Sequence, residues 1–132
     1  MGVKIVRHDA KGYKPLVDFA GWRVAILNQD GFQNREKVPY IERHLITDEV
    51  FVLLAGKARL MDGGTGQAPR ARLMAIPLKA GSVYNVAKRT WHFTLMSNDA
   101  KILIVENRNT SKKNSEYHHF SVQEKKAIRN RF

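Results

Sequence analysis

The chain contains no cysteine, which excludes disulfide bonds and thiolate metal sites. Any metal ion must therefore be bound through nitrogen and oxygen ligands. Long hydrophobic runs are also missing, since no apolar stretch approaches the ~20 residues that a helix needs to cross a bilayer. The opening residues 1–7 are too few and too polar for a secretory signal. We therefore expect a cytoplasmic protein with no membrane partner.

Acidic residues are scarce: 12 Asp and Glu stand against 23 Lys and Arg, for a formal net charge of +11. The imbalance lies in residues 67–132, which hold thirteen basic and four acidic side chains. Such an excess can attract nucleic acid or an anionic substrate, or it can form a solvated surface. No nucleic-acid-binding motif accompanies it, so we favour the solvated surface and rank nucleic-acid binding as a weaker alternative.

What the chain does contain is a series of short apolar stretches separated by turn-forming residues. A length of 132 residues with 43% hydrophobic residues suits one compact domain, 1–132. Many short strands at this spacing are typical of a β-sandwich or barrel, with a core over about residues 20–106. The predicted strands cover residues 22–27, 49–54, 58–61, 71–77, 82–86, 92–96 and 101–105.

The C-terminal segment has a different pattern. Ser121 and Glu124 have the spacing of a capping box, in which each side chain binds the backbone N–H of the other residue. Helix-favouring, cation-rich residues follow, so we predict a short C-terminal extension with a helix over residues 122–131. The polar residues 107–119 are predicted to form a connecting loop.

One predicted strand, residues 49–54, is apolar on both faces after its first residue. A strand of this kind is covered on both sides, by barrel contents within and by another sheet or subunit outside. We therefore predict a homodimer in which sheets pack across the two subunits.

Candidate metal ligands occur in two parts of the sequence, residues 42–49 and residue 92. Glu42 and His44 are two residues apart, so they point to the same side of a strand. Glu49 opens an otherwise apolar strand, where a carboxylate is costly to bury without a cation or hydrogen-bond donors. His92 opens a later strand. Two imidazoles and two carboxylates converging inside a barrel form a plausible site for a divalent metal ion.

Tyr40 shares strand parity with Glu42 and His44. Its hydroxyl could therefore enter the same pocket as a catalytic acid or as a hydrogen-bond donor to a substrate. A tyrosine at such a position can equally be a core residue with a solvated tip.

Two stretches of the sequence resemble the motifs of the cupin superfamily. Glu42-x-His44-x4-Glu49-x6-Gly56 is similar to the first motif, with Glu42 in place of its first histidine, and Gly81-x10-His92 is similar to the second. The resemblance implies an all-β, double-stranded β-helix, the cupin-type jelly-roll barrel, which is often dimeric. It also implies a metal ion at Glu42, His44, Glu49 and His92.

This resemblance leads to two functional hypotheses from different classes. The first is a metal-dependent enzyme with Mn, Fe or Zn, of isomerase, lyase or dioxygenase type, acting on a small polar, carboxylate or sugar-derived substrate. The second is a non-catalytic cupin that binds a small molecule as a sensor or store. A metal-free pocket in which Glu42 pairs with an arginine is the corresponding alternative for the site.

Overall fold

The computed structural model describes residues 2–132, which form ten strands and a C-terminal helix. The elements are β1 (Gly12–Phe19), β2 (Trp22–Asn28), β3 (Tyr40–His44), β4 (Glu49–Ala55), β5 (Ala58–Asp62), β6 (Met74–Pro77), β7 (Tyr84–Val86), β8 (His92–Met96), β9 (Lys101–Asn107), β10 (Ser115–His119) and α1 (Val122–Arg131). The all-β fold with one short C-terminal helix that the sequence predicts is thereby confirmed.

The strands form two five-stranded antiparallel sheets. The first sheet has the order β1-β2-β9-β4-β7, and the second has the order β10-β3-β8-β5-β6. Along β4, Phe51 and Leu53 alternate with outward-facing residues and pack into the core between the sheets. Ile102 and Ile104 do the same along β9. This alternation of buried and outward-facing residues builds a barrel whose interior is apolar over most of its length.

The helix α1 covers the outer face of the second sheet. Ile128 and the preceding Phe120 are buried there in one apolar cluster with Ile41, Phe93 and Leu95. The predicted capping box is present: Glu124 N–H donates to Ser121 Oγ over 3.1 Å, and Ser121 N–H donates to Glu124 Oε1 over 2.9 Å. No helix within residues 2–132 has the length and apolar character needed to span a bilayer.

Two edge strands were not predicted. Residues 107–119, predicted as a loop, contain β10, which pairs with β3 in register from Ser115 opposite His44 to His119 opposite Tyr40. The strand β1 precedes the predicted start of the core and carries a register shift beside Pro15. Both strands lie at sheet edges, where polar residues and a proline at a bulge are tolerated, so neither shows the apolar alternation of a core strand.

The turn between β4 and β5 requires glycine. Gly56 has a φ of +69°, and a Cβ at this position would lie 2.6 Å from the Cα of Ala100. Residues 55–57 suggest a hairpin turn in the sequence, but β4 and β5 belong to different sheets, so the turn carries the chain from one sheet to the other. Its glycine permits both the left-handed conformation and the close approach of the β8–β9 turn.

Candidate metal centre

The structure brings the four predicted ligands together in one pocket. Glu42 and His44 lie on β3, while Glu49 and His92 open β4 and β8, so both sheets contribute. Within the second sheet, Glu42 is directly opposite His92 in the pairing of β3 with β8. This register places side chains that are fifty residues apart in the sequence on neighbouring strands and on the same face.

The donor atoms of these residues are closely spaced. His44 Nε2 lies 2.5 Å from Glu49 Oε2 and 3.8 Å from Glu42 Oε1, and His92 Nε2 lies 3.8 Å from Glu49 Oε2. Donor atoms that bind one ion at about 2.0–2.2 Å are about 3–4 Å apart, so the two separations of 3.8 Å fit a shared ion, whereas the 2.5 Å contact would have to lengthen when an ion binds. Among residues 2–132, the ion-pair partner of Glu42 is His44 rather than an arginine.

Hydrogen bonds at Nδ1 orient both imidazoles. His92 Nδ1 donates to the carbonyl oxygen of Thr90 over 2.8 Å, and His44 Nδ1 is 2.7 Å from Ser115 Oγ. The Ser115 hydroxyl donates its proton to the carbonyl oxygen of Ser111, so it accepts from His44. Both rings therefore carry a proton on Nδ1 and direct Nε2 into the pocket, as metal-binding histidines do.

Two donor atoms in the pocket are fully buried without a hydrogen-bond partner among the described residues. They are Glu49 Oε2 and His92 Nε2. Glu49 Oε2 is close to His44 Nε2, but this contact forms no hydrogen bond. Buried polar atoms are almost always paired, so the two atoms are the feature of this pocket that best fits a bound cation.

The electrostatics of the pocket couple these groups. Burial raises the pKa of Glu49, but the close contacts with His44 and His92 and the positive charges of these imidazoles outweigh it, so the pKa lies below its usual range. Burial lowers the pKa of His92, but Glu49, Glu42 and the Thr90 carbonyl outweigh it and raise this pKa to about 9. Burial also raises the pKa of Glu42. Without a metal ion, protonated imidazoles therefore balance the carboxylates.

A third carboxylate, Glu106, reaches the same pocket and was not among the predicted ligands. It is buried on β9 directly opposite Glu49 of β4. Its pKa is raised by burial and then by the charge of Glu49. The Tyr13 hydroxyl donates a hydrogen bond to Glu106 Oε1, and Arg23 Nη1 lies 3.8 Å from the same oxygen. The parity of Glu106 with Ile102 and Ile104 is the sequence signal that places it inside the barrel.

Tyr40, the predicted catalytic residue, lines the wall of this pocket, whose volume is about 430 Å³. Its ring makes an edge-on contact with Tyr117 of β10, with 5.1 Å between the ring centres. Burial, and then the charges of Glu42 and Asp30, raises its pKa. The hydroxyl is therefore protonated at neutral pH and can donate a hydrogen bond.

Comparison with known proteins identifies the fold. No family model and no curated protein matches the sequence. A Streptomyces Pac13 variant with uridine is 11% identical over 87% of this chain and 84% of that chain, with a TM-score of 0.60, and Pac13 is described as a nucleoside dehydratase. A cupin-2 domain protein from Shewanella frigidimarina is 20% identical over 77% and 85%, with a TM-score of 0.53.

A third solved structure extends the same likeness. An RmlC-like cupin from Desulfovibrio desulfuricans is 19% identical over 80% of this chain and 91% of that chain, with a TM-score of 0.51. Together with the two antiparallel sheets and the motif residues at their ends, these likenesses show that the chain has the cupin fold.

Proposed function

We propose that this protein is a metal-dependent enzyme that acts on a small polar substrate in the pocket of Glu42, His44, Glu49 and His92. The observation that carries the proposal is the pair of buried, unpartnered donor atoms, Glu49 Oε2 and His92 Nε2, within the described residues. An imidazole nitrogen and a carboxylate oxygen left unsatisfied side by side fit a cation that both could bind.

The donor set limits which metal ions suit the site. Two imidazoles and two carboxylates, with no thiolate, match Mn, Fe or Zn. A bound ion of this kind supplies Lewis-acid chemistry, which polarises a carbonyl or hydroxyl group of the substrate. Ser115 and Thr90 support this use of the site, because they hold the Nδ1 atoms of His44 and His92 and leave Nε2 as the donor.

The rest of the pocket supports a small substrate. A volume of about 430 Å³ lies within the range of small-molecule sites, roughly 300–1,000 Å³. Tyr40 is positioned on the pocket wall to donate a hydrogen bond to a substrate oxygen. Isomerase, lyase and dioxygenase chemistry all suit such a site. The likeness to a nucleoside dehydratase makes elimination of water from a hydroxyl-bearing compound the first reaction to assay.

Elemental analysis tests the proposal directly. The protein is purified without chelators or a His tag, beside a Glu49→Ala/His92→Ala double variant, and both are reloaded with Mn²⁺, Fe²⁺ and Zn²⁺. Near-stoichiometric metal in the native protein and its loss in the variant are expected. Absence of metal from the reloaded native protein would contradict the proposal.

A non-catalytic, ligand-binding cupin is the second candidate, and one contact favours it. His44 Nε2 and Glu49 Oε2 are 2.5 Å apart, so a protonated His44 already balances one carboxylate without a metal ion. On this hypothesis a metal-free protein still gains thermal stability from nucleosides or sugar acids. Turnover of a compound by the metal-loaded protein would contradict it.

The outer face of the first sheet supports the proposed homodimer. Val24, Val105 and Val50 form one cross-strand row on this face, and all three side chains are half-buried. Ile26, Leu103 and Val52 form the next row. Contiguous apolar patches of this kind mark interaction surfaces on proteins.

The cytoplasmic location expected from the sequence stays a prediction.

A further inference from the structure

Glu106 occupies a position that the sequence motifs do not include. It is the penultimate residue of β9, and its side chain is 6% exposed. In the antiparallel pairing of β9 with β4 it lies directly opposite Glu49. Two carboxylates directly opposite each other destabilise a sheet unless a cation or a proton compensates them. A cation or a proton must therefore compensate the charge of Glu106.

Arg23 compensates the charge of Glu106 only in part. Arg23 Nη1 is 3.8 Å from Glu106 Oε1, but Arg23 Nε is closer to Asp18 Oδ1, at 3.2 Å. Tyr13 is a neutral hydroxyl donor to the same Oε1. Both contacts engage Oε1, and among the described residues no hydrogen bond is made to Oε2.

The geometry of the donor atoms includes Glu106 in the centre. One donor atom each from His44, Glu49 and Glu106 lie within 4.8 Å of one another, and all three residues are buried. One donor atom each from Glu42, His44 and His92 also lie within 4.8 Å of one another. His44 belongs to both sets, and its Nδ1 is engaged by Ser115, so only Nε2 is free to bind an ion. The two sets share only His44, so a single ion bound by all five residues would draw the two sets closer together than they lie in this structure.

We propose that Glu106 is a fifth ligand of this metal centre, and that Tyr13 is a positioning residue that holds its carboxylate. The inference rests on the proposed function and deepens it. Two imidazole nitrogens and three carboxylate oxygens leave one position of an octahedron for a substrate oxygen. Such a set favours Mn²⁺ and Fe²⁺, which accept more oxygen ligands than the four donors typical of Zn²⁺.

The test compares metal binding by four proteins: native, Glu106→Gln, Tyr13→Phe and Glu36→Gln. Glu36 is an exposed glutamate paired with Arg35. Its variant therefore removes one negative charge at a position outside the pocket. Affinities for Mn²⁺ and Zn²⁺ are measured by chelator competition, and coordination by the visible spectrum of bound Co²⁺. Co²⁺ absorbs more strongly as its coordination number falls, which separates loss of a ligand from loss of a charge.

In Glu106→Gln, we expect Mn²⁺ affinity to fall about 100-fold or more, Zn²⁺ affinity to fall less, and Co²⁺ absorption to rise. Tyr13→Phe should weaken Mn²⁺ binding about tenfold without changing the Co²⁺ spectrum. Glu36→Gln should match the native protein. If Glu106→Gln weakened the binding of Mn²⁺ and Zn²⁺ equally and left the Co²⁺ spectrum unchanged, the ligand role of Glu106 would be overturned and the proposed function would stand. A native protein that binds none of these ions would overturn the proposed function and this inference together.

Discussion

The guanidinium carbon of Arg43 lies 4.7 Å from the ring centre of Trp91, on the outer side of the sheet that carries Glu42 and His92. Arg43 Nη1 and Trp91 Nε1 both donate to the carbonyl oxygen of Gly66, over 2.8 and 3.0 Å. Arg43 lies between two proposed ligands in the sequence, and Trp91 precedes a third. The contact therefore joins the segments that carry three of the four ligands.

Replacing Arg43 should destabilise the fold. The side chain is 2% exposed, and Arg43→Met removes the contact with Trp91, the hydrogen bond to Gly66 and the ion pair with Glu116. We expect the free energy of unfolding in urea to fall by about 2–3 kcal/mol, since Glu116 is partly exposed and can be solvated. The control Arg35→Met, at an exposed ion pair, should change it by less than about 0.5 kcal/mol. Equal stability of the two variants would contradict this prediction.

Gly56→Ala should be costly because its φ is +69° and the added Cβ would meet backbone atoms of Ala100 at 2.6–2.7 Å. Both strain and collision act at this turn, so we expect a loss of about 2 kcal/mol or more in the free energy of unfolding. Gly21→Ala is the matched control, since a Cβ there meets nothing within 4 Å. Denaturant unfolding of the two variants should separate them clearly. A Gly56→Ala protein as stable as Gly21→Ala would show that the turn can relax.

The stability of the metal-free protein should depend on pH through His92. Its pKa is raised from 6.5 to about 9 in the folded protein. A raised imidazole pKa stabilises the fold fully below pH 6.5, and this contribution is lost as pH rises through 9. The loss is of order 3 kcal/mol. The stability difference between native protein and His92→Asn should shrink from pH 7 to pH 9.5, measured by urea unfolding with a chelator. A constant difference would contradict the assigned ion pairing with Glu49.

The proposed dimer should be broken by a charge on the outer face of the first sheet. Val52 lies opposite Leu103 on this face, so Val52→Lys places an ammonium group in the apolar rows described above. Light scattering at micromolar concentration should give a dimer for the native protein and a monomer for the variant. Val83→Lys, at a residue that is 69% exposed between β6 and β7, should leave the dimer intact. A monomeric native protein would contradict the proposal.

Much of the fold could be predicted because buried strands stand out as short apolar stretches between turn-forming residues. This pattern predicted β8 at its observed bounds, and the strand parity of Glu42 and His44 predicted that they share a face. The helix α1 was predicted because its capping box is a local signal. These features depend on residues that are close in sequence, which is where single-sequence reasoning is strongest.

The rest depends on pairings that local sequence does not reveal. Glu106 lies one residue beyond the predicted end of β9, and its role follows from its register with Glu49. Tyr13 lies on an edge strand without apolar alternation, so nothing local brings it to Glu106. Arg43 is charged and fully buried, and its partners Gly66, Trp91 and Glu116 all lie far from it in the sequence. Strand boundaries and edge strands were therefore the weakest part of the prediction.

The second sheet is joined at its centre by a single residue pair, Glu42 with His92, whereas β5 pairs with β8 over five residues. The antiparallel pair of β3 and β10 is thus the part of the barrel that can separate most easily from the remainder. Since Glu42 and His44 lie on one side of this seam and His92 on the other, an ion bound by all three would close it. Amide hydrogens of β3 and β10 should then exchange slowly in the metal-loaded protein and rapidly after chelation. Metal binding would thus control how often these two strands, which form one wall of the pocket, open locally.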